Sequence, residues 1–133
     1  MAKHNEVGRI GEDIAREFLI EKGLIFISAN YRKTYGEIDL IFKDISNKLI
    51  FVEVKSVSWE TPTLNHTPVS HETHRPEENI HPQKIQRLKR VIQTYLVSHE
   101  MVGDWQFDVI AVFLDQKNKT AKIRHLKNII LES

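Results

Sequence analysis

Between residues 36 and 56 the chain reads G-E-I-D-L-I-F-K-D-I-S-N-K-L-I-F-V-E-V-K-S, and this stretch restricts the possible folds more than any other. Two runs, 37–44 and 49–56, are rich in β-branched and aromatic residues, and the triplet Ser46-Asn47-Lys48 between them is turn-forming. They predict a β-hairpin. In the second run Leu49 and Phe51 alternate with Ile50, Val52 and Val54, so both faces are apolar. Such a strand belongs inside a sheet that is covered on both sides, because neither face is suited to water.

The remaining chain supplies the cover. Val7, Ile10, Ile14, Phe18 and Leu19 recur at helical spacing between Asn5, a candidate N-cap, and Gly23, a candidate stop, and predict a helix over 6–22. The run L-I-F-I-S-A-N-Y-R at 24–32 predicts a strand, and a turn follows through 33–36. Pro82 suits a first helical turn, and Ile85, Leu88, Ile92, Tyr95 and Leu96 extend an apolar stripe to about 99. Gly103 interrupts, after which 105–114 and 121–126 predict two strands about a turn at 115–120. The order α-βββ-α-ββ implies an α/β fold with a central mixed β-sheet flanked by helices. A chain of 133 residues can bury one core of that kind, so residues 1–133 are expected to form a single domain.

One segment breaks the pattern. Residues 57–81 hold three of the four prolines and four of the seven histidines, with little apolar periodicity. They are expected to be a long loop insertion, a form often tied to function. The spacing of His66, His71, His74 and His81 fits no standard zinc motif on a regular element.

Several function classes are excluded or disfavoured. There is no cysteine, so disulfides and thiolate metal sites are out. There is no run of 18 apolar residues to span a membrane. The start M-A-K-H-N-E-V-G-R-I-G-E lacks an apolar signal region, which leads to an expectation of a cytoplasmic protein. No glycine-rich phosphate loop points to a nucleoside triphosphate. The net charge of +1 does not mark a nucleic-acid binder. Its distribution is more telling. Residues 1–81 carry ten Lys and Arg against thirteen Asp and Glu, whereas 82–133 carry nine against five. An acidic half beside a basic half suits a metal-binding cleft next to a phosphate-binding surface, although a short chain can reach the same imbalance by chance.

The residues that carry chemistry are Asp39, Glu53 and Lys55, each inside an apolar run. A hairpin turning near 46–47 brings position 39 towards position 53, and positions 53 and 55 share a face. Buried charges are costly unless they are paired or bind a metal. Two carboxylates at close range repel, and a hard divalent cation such as Mg²⁺ relieves the repulsion while keeping several waters. Such an ion can polarise a phosphoryl group and acidify water, and an adjacent lysine can stabilise the developing charge. A structural ion-pair network would use the same three residue types.

The motifs G-E-I-D-L at 36–40 and V-E-V-K at 52–55 match the D-(x)n-E-x-K pattern of restriction-endonuclease-like nucleases. N-x-x-G-R-x-G-E at 5–12, A-N-Y-R at 29–32 and F-D-V-I at 107–110 extend the match. Together they resemble the small endonuclease-like family called YraN-like, or UPF0102, which is similar in turn to archaeal Holliday-junction resolvases. The resemblance covers nearly the whole chain outside 57–81. It implies a restriction-endonuclease-like fold, metal ligation by Asp39 and Glu53, a catalytic lysine at Lys55, and Glu12 facing the same cleft from the first helix. It further implies Mg²⁺ or Mn²⁺ as cofactor, DNA as the nucleic-acid partner, and a homodimer. The sequence departs from the pattern at the long insert after Ser56 and at Gln106, where an arginine is common before F-D-V.

Other readings stand beside these. Glu12 precedes Arg16 by one helical turn, the favourable order for a helix ion pair. Arg32, Lys84 and Arg87 are candidates to meet phosphates, although charged helix faces are commonly just solvated. Tyr31 and Tyr35 could stack on bases, and Tyr31 equally suits a core. Asp108, in an apolar strand, needs a partner and is expected to hold a basic residue or a backbone amide in place. The competing functions are a metal-dependent nuclease, a nucleic-acid-binding module that keeps the fold without cutting, and a hydrolase of smaller phosphate esters.

Overall fold

The computed structural model describes residues 2–59 and 82–131. Among these, α1 (Ala2–Glu21) leads into β1 (Ile25–Lys33), β2 (Gly36–Lys43) and β3 (Leu49–Trp59). Then come α2 (Pro82–Ser98), β4 (Trp105–Asp115) and β5 (Thr120–Leu126). The five strands form one sheet in the order β1-β2-β3-β4-β5. Only the β3–β4 pair is parallel; its neighbours are antiparallel, so the sheet is mixed as expected. No described helix is long and apolar enough to cross a membrane.

β3 is central, and alternation along it serves two cores. Phe51 packs with Leu88, Val91, Ile92 and Tyr95 of α2. Ile50 and Val52, pointing the other way, pack with Ala15 and Leu19 of α1. The helices therefore cover opposite faces, which is the arrangement that a doubly apolar strand requires. Phe42, Phe51, Phe107 and Phe113 are among the largest fully buried side chains. Each contributes about 2–3 kcal/mol of burial to the stability of the domain.

Local signals set the element ends. After α1, the amide of Leu24 donates to Leu19 O and that of Gly23 to Ile20 O. Gly23 has φ 95°. This is the paired-bond helix stop that favours glycine, and the expected stop at Gly23 holds. The same pair of bonds ends α2, with Glu100 at φ 51° in the role of glycine. In the β2–β3 turn the Asp44 carboxylate accepts the amides of Ser46 and Lys48 and the Ser46 hydroxyl. Asn47 takes a left-handed φ of 69° there, as Asn tolerates.

Two expectations are corrected. Asn5 does not cap α1 but lies inside it, because the good helix formers Ala2 and Lys3 carry the helix further back. No break occurs at 57, where one was expected. β3 runs to Trp59 because β4 pairs with it residue for residue as far as Asp115. The rest of the expected insertion, with His66, His71, His74 and His81, lies outside the described residues.

Candidate functional site

The site begins where the β2–β3 ladder opens. Backbone pairing runs from Lys43↔Leu49 to Leu40↔Val52 and stops one step before Asp39 and Glu53 would meet. There the Asp39 carboxylate takes over, accepting the Val54 amide at 2.8 Å. A side chain thus replaces a ladder bond, and Asp39 is held beside the strand that carries Glu53. Both are buried, at 8% and 5% exposure. Burial, reinforced by the Glu53 charge, pushes the Asp39 carboxyl up to about 8 against the opposing pull of the Val54 amide. At neutral pH without a cation, this pair resists carrying two negative charges.

Two lysines converge on Glu53 Oε2. Lys55 Nζ, from the same face of β3, lies 3.4 Å away. Lys84 Nζ, from the first turn of α2, lies 2.5 Å away and donates a hydrogen bond. Burial, together with the neighbouring Lys84, holds Lys55 below the usual lysine range, although Glu53 pulls the other way. Burial would also lower Lys84, but its contacts with Glu53 outweigh this and raise it. Asp39, Glu53, Lys84 and Arg87 line a cleft of about 320 Å³, with Gly36 and Glu37 at its edge.

Close helix–strand packing sets that cleft. A Cβ on Gly11 would overlap the Ser56 hydroxyl and lie 2.8 Å from Ser56 Cβ, so glycine lets α1 sit against β3. The next residue, Glu12, is thereby brought near the acidic group. Its carboxyl is raised by burial and by the charges of Glu37, Asp13 and Glu53, with Arg32 opposing. Arg16 places its guanidinium 3.7 Å over the Phe26 ring, an engagement away from the helix pair considered for Glu12. On the other face a Cβ on Gly36 would lie 3.3 Å from Arg87 O, so α2 comes close to the start of β2. Of the two Gly-Glu doublets, 36–37 lines the cleft beside Arg87, whereas 11–12 marks the contact of α1 with Ser56 on β3. Glu37, which the sequence did not single out as a site residue, lines the cleft.

Arg32 is exposed and pairs with Glu37 at 2.8 Å. It shares an adjoining surface hollow with Arg87. Tyr31 packs edge-on against Tyr95 and belongs to the α2-side core. The Tyr35 hydroxyl bonds Thr94, and Arg90 lies 3.9 Å over its ring. Asp108 is on the α1 side, apart from the cleft. Its carboxylate bonds His125 Nε2, the Asn128 amide and Gln106 Nε2 at 2.8–2.9 Å. Burial is outweighed there by these bonds, and Asp108 is lowered. Asp108 was expected to hold a basic residue or a backbone amide, and it bonds the His125 ring and the Asn128 amide.

No group of three His, Asp or Glu side chains among the described residues is arranged to hold a metal unaided. Mg²⁺ does not need one, since one or two carboxylates plus water and substrate phosphate suffice. The like charges of Asp39 and Glu53, held together at a cost, suit such an ion. Two cationic side chains beside them suit a phosphate.

Known proteins resemble this chain along most of its length. Residues 11–112 match the family model described as "Uncharacterised protein family UPF0102". A UPF0102 protein of Flavobacterium psychrophilum is 34% identical over 128 residues, covering 96% of each chain. One of Christiangramia forsetii is 36% identical over 129 residues, again covering 96% of each. One of Caldicellulosiruptor bescii is 33% identical over 126 residues, covering 92% of this chain and 95% of its own.

Proposed function

From its membership of the UPF0102 family, to which the chain belongs, and from the chemistry of the cleft, we propose that it is a metal-dependent nuclease that hydrolyses phosphodiester bonds in DNA, branched or damaged DNA in particular. The observation that carries the reading is the convergence of Asp39 and Glu53 from adjacent strands into one cleft with Lys84, while Lys55 reaches Glu53 from the same strand.

In this reading Asp39 and Glu53 are the protein ligands of Mg²⁺ or Mn²⁺. Such an ion, when bound, polarises a phosphoryl oxygen and acidifies water. The Val54 amide keeps Asp39 oriented. Lys55 presents its ammonium to the negative charge that develops on the phosphoryl oxygens. Glu12, which does not line the cleft but feels the charges of Glu37 and Glu53, orients the attacking water. Lys84 and Arg87 of the cleft and Arg32 of the adjoining hollow meet backbone phosphates, which position a strand without reading its sequence. Cutting both strands of a symmetric branched substrate calls for two copies about a two-fold axis, so the active species is a homodimer, a point that light scattering checks.

The test is cleavage of linear, branched and single-stranded DNA by the full chain with Mg²⁺ or Mn²⁺. Glu53→Ala is expected to lose at least about a hundredfold in rate. No cleavage by the wild type, or equal cleavage by Glu53→Ala, ends the proposal.

A second reading has its own observation. Asp39 is satisfied by an amide and Glu53 by two lysines, a self-neutralised arrangement that a non-cutting nucleic-acid-binding module would also have. That module binds DNA with steep salt dependence and shows no metal-dependent turnover.

A further inference from the structure

Lys55 is near Glu53 because they are two apart on one strand. Lys84 is not obliged to be there. It comes from α2, 31 residues away in sequence, and reaches the same oxygen more closely than Lys55 does. Its side chain is 38% exposed and lines the cleft, so its stem has room to swing. Glu53 Oε2 therefore already carries two ammonium groups. A divalent ion taking that oxygen as a ligand would face strong repulsion from an ammonium already bonded to it.

We propose that Lys84 is a resident counter-cation of the metal site, so that binding a divalent ion to Glu53 and releasing Lys84 from Glu53 are one event. The inference rests on the metal-site reading above and deepens it. Without metal, Lys84 neutralises Glu53 and keeps the buried acidic pair tolerable. With metal, the ammonium leaves on its flexible four-carbon stem and becomes available at the cleft mouth for a phosphate oxygen. The phosphate-facing role of Lys84 is then conditional on the ion.

Calorimetric titration of the full chain with Mn²⁺ tests this, using the wild type, Lys84→Met and Arg87→Gln. Methionine keeps the apolar stem and removes the competing charge. Arg87 lines the same cleft, so its variant measures what removal of a nearby positive charge does by field alone. Lys84→Met is expected to bind Mn²⁺ about tenfold more tightly, in line with the loss of a charge-assisted hydrogen bond. Arg87→Gln is expected to change affinity by less than about twofold. In the wild type, lysine ¹⁵N NMR should show the protected, hydrogen-bonded Lys84 ammonium lost on saturation with Mg²⁺. Unchanged or weaker binding by Lys84→Met, an equal gain by Arg87→Gln, or a Lys84 ammonium signal that Mg²⁺ leaves unmoved overturns the inference. No Mn²⁺ binding by any of the three overturns the metal site itself and this inference with it. Metal binding with the expected shifts but no DNA cleavage supports the counter-cation role and ends the nuclease reading.

Discussion

The carboxylate of Asp39 accepts the backbone amide of Val54 at 2.8 Å across the gap where β2 and β3 part. One side chain thus closes the hairpin and faces the cleft. The two duties pull against each other, since burial and Glu53 raise the carboxyl while the amide lowers it.

The first prediction concerns pH. Asp39 is raised from 3.8 to about 8, so between those values the folded state binds more protons than the unfolded state. Stability therefore falls as pH rises through that window. Asp39→Asn, which still offers an oxygen to the Val54 amide, should stabilise the metal-free protein at pH 9 by about 2 kcal/mol. That corresponds to a Tm higher by roughly 8 °C. At pH 5 the variant should show little difference. Mg²⁺ should raise the wild-type Tm at pH 9 and leave that of Asp39→Asn unmoved. Thermal melts at both pH values read all of this, and a wild-type Tm insensitive to Mg²⁺ at pH 9 contradicts it.

A second prediction separates the two lysines. Under the nuclease reading Lys55→Met should lower kcat by about 10²–10³-fold with KM little changed, as expected for an interaction made in the transition state. Lys84→Met should act mainly on the metal and substrate terms. Steady-state cleavage kinetics at varied Mn²⁺ distinguish the two, and a Lys55→Met enzyme with normal kcat removes that residue from the mechanism.

The third prediction follows from the approach of α1 to β3. Gly11→Ala should destabilise the fold by about 1–3 kcal/mol, since the added methyl meets Ser56 in a packed contact. Ser56→Gly should restore most of the loss in the double variant, a coupling that a denaturant-melt double-mutant cycle measures. Additive losses would show that the two positions are not in conflict.

A fourth prediction concerns the buried carboxylate far from the cleft. Asp108→Ala leaves the Asn128 amide, the His125 ring and Gln106 without their acceptor. The loss should be about 3–5 kcal/mol, typical of breaking a buried charged network. Asp108 is lowered below 3.8, so its contribution is present above that value and lost as pH falls through its folded value. Acid melts of the wild type and of Asp108→Asn check the sign, and equal acid sensitivity in the two would count against it.

How far the sequence anticipates this molecule depends on the range of the interactions concerned. The hairpin is local, so the apolar runs and the Ser46-Asn47-Lys48 turn were enough to bring Asp39 to Glu53. The observed pairs, such as Leu40↔Val52, confirm the register within one residue. The two-faced burial of β3 followed from its lack of polar alternation. The need of Asp108 for partners followed from its apolar setting, whereas their identity did not, because His125 and Asn128 arrive from β5 and beyond. The extension of β3 to Trp59 depends on pairing with β4 across more than fifty residues of chain. The reach of Lys84 to Glu53 depends on how α2 lies on the sheet. Neither signal is local, and each was read differently from sequence: the first as loop, the second as a phosphate contact.

The early end of the β2–β3 ladder has a mechanical corollary. Past Val52, regular backbone pairing steadies the strand bearing Glu53 and Lys55 from the β4 side, and β4 in turn leans on β5. The reactive groups thus borrow their rigidity from the half of the sheet that contributes nothing to the cleft. Loosening that half should blur the alignment of the lysine before it unfolds the protein.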